Sequence, residues 1–257
     1  MSGLVVWVIM EAASFCEFRF YEELNDFLPR DQRKRTFRHG FDGTPSVKDR
    51  IESLGVPHTE VDLVLVDGEP VGFDHLLHGG ERVAVYPVFE RFDLTGVSPL
   101  RPRPLRVPRF VADVHLGRLA SLLRLLGFDC RYENDGADEA LVAVSVTETR
   151  ILLTRDVGLL RRSAVTHGAF VHATDPRLQL REILDRFDLR GRIAPFTRCA
   201  RCNGVLVPVD RAAVTVPDSV AERHTRFTRC DGCGQVYWPG THVARLRRRL
   251  AEIGIGM

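Results

Sequence analysis

A multidomain protein is predicted, with a small α+β sheet domain, then an α/β domain on a parallel sheet, then a small cysteine-ligated module. Three observations carry this expectation. The 257 residues exceed one domain of ordinary size. The hydrophobic pattern changes from strands around one helix to strands alternating with helices. Charge is divided unevenly within an overall +2: residues 1–90 carry net −7, residues 91–108 net +3, residues 109–195 net +1 and residues 196–257 net +5.

The first module spans residues 15–90. Glu17-Phe18-Arg19-Phe20 alternates like a strand. Ser46 is placed to cap a helix, with Asp49 three residues on and Gly55 and Pro57 to stop it. Val61–Val66 reads as a strand, Asp67-Gly68 as a tight hairpin turn, and a short strand follows near Val71. Arg82–Tyr86 closes the sheet. Residues before Phe15 read as a loose N-terminus.

Residues 91–108 hold Pro99, Pro102, Pro104 and Pro108 among arginines and read as a stiff linker. The second module spans residues 109–195. Phe110-Val111-Ala112 is a short apolar strand ending at Asp113, and the leucines from Leu116 to Leu126 mark a helix stopped by Gly127. A second helix opens at Asp138. Arg150–Thr154 is a buried strand followed by Asp156, Gly168–His172 is a further strand with Asp175 beyond it, and Leu178–Phe187 is a last helix. Strands alternating with helices in this way form a parallel sheet covered on both faces.

The third module spans residues 196–252. Cys199-Ala200-Arg201-Cys202 and Cys230-Asp231-Gly232-Cys233 stand 27 residues apart, and a basic helix, Thr241–Ala251, follows. Two Cys-x-x-Cys knuckles present four thiolates, the ligand set of a structural Zn²⁺ site with no position left for water. A redox dithiol motif occurs once beside a helix rather than twice between strands. Zn²⁺ held by Cys199, Cys202, Cys230 and Cys233 is therefore expected to contribute much of this module's folding energy. Arg198, Arg201, Arg226 and Arg229 flank the knuckles and suit either phosphate contact or a solvated surface.

Composition narrows the class. With 44% hydrophobic and 27% charged residues, the chain reads as soluble and globular. The apolar run Leu4–Met10 is too short to span a bilayer and lacks the flanks of a signal peptide. A cytoplasmic location with no membrane partner is expected, where structural disulfides are disfavoured, so Cys16 and Cys130 read as core residues. Arginine supplies 34 of the 36 basic residues, which we read mostly as genome composition.

Open parallel sheets carry functional groups at the carboxyl ends of their strands. Asp113 and Asp156 sit there, Asp175 follows the next strand and Asp138 opens a helix. Converging carboxylates suit Mg²⁺ or Mn²⁺, which can activate water against a phosphodiester. Aspartate is equally a favoured helix N-cap, and by pattern alone capping is the commoner role.

Two long motif sets resemble known families. Phe18-Arg19-Phe20-Tyr21-Glu22-Glu23-Leu24-Asn25-Asp26-Phe27-Leu28-Pro29, Gly55-Val56-Pro57-His58-Thr59-Glu60-Val61 and Val83–Phe89 resemble the ubiquitin-like β-grasp domain that precedes Mut-seven C-terminal RNase domains. Phe110-Val111-Ala112-Asp113-Val114-His115-Leu116-Gly117-Arg118-Leu119-Ala120, the Thr154-Arg155-Asp156 strand end, and the runs around the four cysteines resemble that RNase domain itself, over residues 109–250. The resemblance implies a β-grasp domain, a PIN-like α/β nuclease domain and a terminal zinc ribbon. It further implies an RNase with a metal-dependent site at Asp113, Asp138 and Asp156, with Asp175 as a fourth acid and Mg²⁺ or Mn²⁺ as the catalytic ion. RNA is then the substrate, gripped by the basic ribbon, and the β-grasp module recruits a protein partner. That module runs through Glu90 into the linker without a Gly-Gly tail, which argues against conjugation or sulfur transfer. The competing class is a non-catalytic RNA-binding adaptor that keeps the PIN-like scaffold.

Overall fold

The computed structural model describes residues 14–88, 96–100 and 107–255. Residues 1–13 of the expected loose N-terminus and most of the linker, residues 91–95 and 101–106, lie outside the described residues, while Ser14 already belongs to the first strand. The chain divides into two compact units, one holding the described residues up to Leu100 and one those from Val107 on.

In the first unit, β1 (Ser14–Phe20) alternates buried and partly exposed side chains, as its sequence predicts. It pairs antiparallel with β2 (Phe37–Phe41). Helix α1 (Val47–Ser53) begins where the Ser46 hydroxyl accepts the Asp49 amide N–H at 3.1 Å, which occupies one of the free donors of the first turn. Strand β3 (Val61–Val66) turns through Asp67 and Gly68 into β4 (Glu69–Pro70). Both turn residues have positive φ, 51° and 94°, which the two-residue hairpin requires.

Strand β5 (Arg82–Pro87) then inserts between β1, to which it is parallel, and β3, to which it is antiparallel. The sheet order is β2-β1-β5-β3-β4, a ubiquitin-like β-grasp with α1 packed on one face. Phe18, Phe20, Ile51, Val64 and Val85 are fully or almost fully buried in its core. Residues 96–100 are not free linker. Leu100 packs against this core and the Ser98 hydroxyl donates to the Asp62 carbonyl.

In the second unit, β6 (Phe110–Ala112), β7 (Cys130–Tyr132), β8 (Ile151–Thr154) and β9 (Gly168–Phe170) form an all-parallel sheet of order β7-β6-β8-β9. Alternation along β6 and β8 splits the apolar residues between two faces. Phe110, Ala112, Ile151 and Leu153 face α2 (Gly117–Leu125) and α5 (Pro176–Arg186). Val111 and Leu152 face α3 (Asp138–Thr147) and α4 (Val157–Leu160). This is the doubly covered parallel sheet the sequence predicts.

The last segment forms β10 (Leu206–Val209), β11 (Phe227–Cys230) and β12 (Val236–Tyr237), an antiparallel three-stranded ribbon. Among the described residues, Cys199, Leu206 and Cys230, with Tyr237 against them, form its apolar cluster, and Val214 and Phe227 are the other buried apolar residues of the ribbon strands and their connection. So small an apolar cluster cannot offset the entropy of ordering the ribbon, so cross-links must supply the rest. The final helix, α7 (Thr241–Ala251), sends Leu250 back into the core shared by α2 and α5, and Ile255 beyond it does the same.

Candidate functional site

The parallel ladders Ala112↔Tyr132 and Ala112↔Leu153 align the carboxyl ends of β7, β6 and β8. Asp113 follows β6 directly and is 6% exposed. Its Oδ2 accepts a hydrogen bond from the Thr154 hydroxyl at 2.7 Å, and among the described residues it has no cationic partner. A desolvated carboxylate with one neutral donor is costly and favours a cation beside it. The same Thr154 oxygen accepts the Asp156 backbone N–H at 2.9 Å. Fully buried Thr154 therefore ties the strand end carrying Asp113 to the turn carrying Asp156. The Asp156 side chain is exposed and caps α4, with Oδ1 accepting the Gly158 N–H at 2.7 Å.

The other two acids are engaged elsewhere. Asp138 and Glu139 at the start of α3 both pair with Arg162, at 3.3 and 3.1 Å. Asp175 caps α5 by accepting the Arg177 and Leu178 N–H groups and lies 3.4 Å from the Arg177 guanidinium. The Arg177 amide first, then Leu178 and the guanidinium, hold its carboxyl below the usual range. Capping thus accounts locally for Asp156 and Asp175, but not for Asp113 or Asp138, which make no side-chain cap bond. Arg155, between Thr154 and Asp156, donates from Nη1 to the Val171, His172 and Ala173 carbonyls.

The four cysteines converge. Their sulfurs all lie within 4.8 Å of one another, with Cys199 to Cys233 at 3.6 Å and Cys202 to Cys230 at 3.3 Å. A tetrahedron with metal–sulfur bonds of ~2.3 Å has edges of ~3.8 Å, so these residues fit a metal such as zinc. Gly204 follows the first knuckle where a Cβ would come within 2.7 Å of the Cys230 sulfur. Burial pushes the Cys199 thiol up, but the Tyr237 hydroxyl and the Cys202 and Arg201 amides outweigh it and bring it down to about 7. The Gly204 amide lowers Cys202, but desolvation and the three neighbouring thiols drive it to about 12. Four such thiols lose their protons together only when a cation holds them. Among the described residues this is the one group of three or more His, Cys, Asp or Glu side chains placed close enough to hold a metal.

Residues 108–250 match the Mut7-C RNAse domain. The chain belongs to that family. Residues 13–93 match the Mut7-C ubiquitin domain, in agreement with the β-grasp sheet. No curated protein and no solved structure matches the chain. Among the described residues no helix is long and apolar enough to cross a membrane.

Within this Mut7-C domain, sequence reading missed how the first knuckle docks. Asn203, just after Cys202, accepts the Cys130 N–H at 3.0 Å and donates to Asp129 at 2.7 Å. Buried Arg124 donates to the Cys130 carbonyl and to the Ala200 and Arg201 carbonyls inside the knuckle. Asp129 also receives Arg150 at 2.6 Å and lies 3.4 Å from Arg198, one of the arginines left open between phosphate contact and surface. Desolvation pushes the Asp129 carboxyl up, but Arg150 and Asn203 outweigh it and hold it below the usual range. All of these contacts lie at the amino ends of the strands, opposite Asp113 and Asp156.

Thr154 was visible in its motif only as a neighbour of Asp156. Thr154→Val keeps its shape but removes the donor to Asp113 and the acceptor for the Asp156 amide. We expect a stability loss of about 1–3 kcal/mol, and near-normal stability for Thr154→Ser. Denaturant titration checks this, and equal stability of the Val and Ser variants would count against a role for the hydroxyl.

Proposed function

We propose that the chain is a metal-dependent endoribonuclease whose site is built on Asp113 and Asp156. The observation that carries this reading is the buried Asp113 carboxylate, without a counter-cation among the described residues, tied through Thr154 to Asp156 at the carboxyl edge of a parallel sheet in a Mut7-C RNAse domain. Asp113 and Asp156 would hold Mg²⁺ or Mn²⁺. Such an ion, when bound, activates water and stabilises the leaving oxygen of an in-line displacement. Thr154 keeps the Asp113 carboxylate in one orientation. Asp175 and Asp138 are further ligands in this reading, each reached by exchanging an arginine, Arg177 or Arg162, for the ion.

Zinc held by Cys199, Cys202, Cys230 and Cys233 is structural. The exposed ribbon arginines Arg201, Arg226 and Arg229 offer contacts to an RNA longer than the site. The β-grasp unit docks a protein partner, and a cytoplasmic setting keeps the four thiols reduced.

The test is cleavage of single-stranded and structured RNA, with single-stranded DNA alongside, in Mg²⁺, Mn²⁺ or EDTA. Cleavage that needs the divalent ion and is lost in Asp113→Asn is expected. A folded, zinc-loaded protein that binds RNA but never cuts it would replace this reading with that of an RNA-binding adaptor.

A further inference from the structure

The carboxyl ends of β6 and β7 open onto a groove of ≈1070 Å³ between the first turns of α2 and α5. Val114 and His115, the residues just after Asp113, line it, and so does Asp175. Asp175 therefore links it to the proposed reaction site, although Asp113 and Asp156 do not themselves line it.

Tyr132, the last residue of β7, is the aromatic wall of this groove. Two contacts fix it. Its hydroxyl donates to the Val114 carbonyl at 3.0 Å, and its ring tip lies on Gly117, where a Cβ would come within 2.5 Å of Cζ and of the hydroxyl oxygen. The absence of a side chain at Gly117 thus lets the ring lie down over the first turn of α2. A half-buried tyrosine held at its hydroxyl end presents a π face at little further entropic cost.

The groove also carries cationic and amide groups. Arg118 and His115 are exposed and have no hydrogen-bond or ion-pair partner among the described residues. Arg177 is shared between Asp175 at 3.4 Å and Glu252 at 3.7 Å. Asn134 lines the opposite side.

We propose that this groove is a subsite for one unpaired nucleotide of an RNA strand, with its base stacked on Tyr132 and its phosphate on Arg118. Stacking on an aromatic side chain needs a base released from a helix, so the subsite selects single-stranded over duplex RNA. Arg118 is the phosphate contact because its guanidinium is free, whereas the guanidinium of Arg177 is already paired. The proposal takes its ligand class from the nuclease reading. Binding rather than cleavage tests it, so the two can fail separately.

The experiment uses the full zinc-loaded chain carrying Asp156→Asn to block cleavage. A fluorescent unstructured RNA oligomer and an RNA duplex of the same length are titrated by anisotropy across a salt series. Tyr132→Ala is expected to weaken single-strand binding by about 5- to 160-fold, since one stacked base contributes ~1–3 kcal/mol, and to leave duplex binding within about twofold. Tyr132→Phe keeps the ring and should stay near the parent. Arg118→Ala, on an exposed side chain that the fold does not need, should lower the log–log salt slope for the single strand by ~0.7, the loss of one phosphate contact. Unchanged single-strand affinity in both Tyr132→Ala and Arg118→Ala would overturn the proposal. So would equal losses for strand and duplex, or a parent chain that binds neither. Cleavage failing in the Asp156 wild-type background while these binding effects stand would sink only the nuclease reading.

Discussion

Asp156→Asn is expected to lower metal-dependent RNA cleavage by about 10²–10³-fold while leaving the fold and its melting temperature nearly unchanged. The magnitude follows from the several kcal/mol an ion contributes to such a displacement, at 1.36 kcal/mol per tenfold. The stability half follows from local geometry. Asp156 Oδ1 accepts the Gly158 N–H, and the amide oxygen of asparagine makes the same cap. The side chain is exposed, so its charge contributes little to folding. Asp113→Asn should lose cleavage as well, but with a different signature. Asp113 is 6% exposed and lacks a counter-cation among the described residues, so replacing it with a neutral amide removes a desolvated charge. In buffer free of Mg²⁺ and Mn²⁺ but with the ribbon metal retained, that variant should melt higher than the parent, and the advantage should shrink as Mg²⁺ or Mn²⁺ is added. Paired calorimetry and cleavage measurements decide it. Wild-type rates in Asp156→Asn remove the proposed site, and an Asp113→Asn variant less stable than its parent in that buffer removes the reading of Asp113 as an uncompensated ligand.

The elements that were legible in the sequence are those whose signal is local. Phe110–Ala112 and Ile151–Thr154 are short apolar runs ended by aspartate, and both are central strands. Ser46, Gly55 and the Asp67-Gly68 pair act within one turn of themselves, and each does what its chemistry dictates. The fourth strand was expected near Val71 and lies one residue earlier, at Glu69–Pro70, because the two-residue turn sets the pairing at once. In the first two sheets, the strands that escaped notice, β2 and β7, are edge strands. In β2, Phe37-Arg38-His39-Gly40-Phe41 interrupts its apolar residues with a basic pair and a glycine, and its inward side is completed by Phe18 and Phe20 of β1. In β7, Cys130-Arg131-Tyr132 is too short to show a period and is defined by its neighbour Phe110–Ala112.

The site followed the same division. Placing acids at strand ends is a matter of counting along the chain, and Asp113 and Asp156 sit where the count puts them. What each carboxylate faces is not local. Asp138 meets Arg162, 24 residues on, while Thr154 reaches back 41 residues to Asp113. The knuckle network is longer still, with Asn203 meeting Asp129 across 74 residues. Cysteine spacing showed the four-thiol cluster because both members of each pair share one turn. It carried no sign that this turn is also part of the nuclease unit.

That docking makes metal removal the second large effect. Chelating the ion from Cys199, Cys202, Cys230 and Cys233 should unfold the ribbon, whose apolar cluster is too small to persist alone. The damage should then spread to α2 and β7. Arg124 is 3% exposed and donates to the Ala200 and Arg201 carbonyls, which stay in place only while the knuckle is closed. With the knuckle open, Arg124 keeps the Cys130 carbonyl alone, Cys130 loses its acceptor on Asn203, and Asp129 loses a donor. Losing hydrogen bonds from a charged donor costs on the order of 1.5–3 kcal/mol. At ~2–4 °C per kcal/mol for a unit of this size, the second unit should melt roughly 3–12 °C lower. Hydrogen exchange on peptides covering residues 117–132 reads the effect directly, since those amides lie outside the ribbon. Their protection should fall after chelation and return when Zn²⁺ is restored. Arg124→Leu, which removes the stranded charge, should show a smaller drop on chelation than the parent, the coupling a double-mutant comparison isolates. If residues 117–132 keep full protection while the ribbon has lost its metal and its structure, the ribbon is an appended module and the buried contacts of Arg124 and Asn203 carry no such coupling.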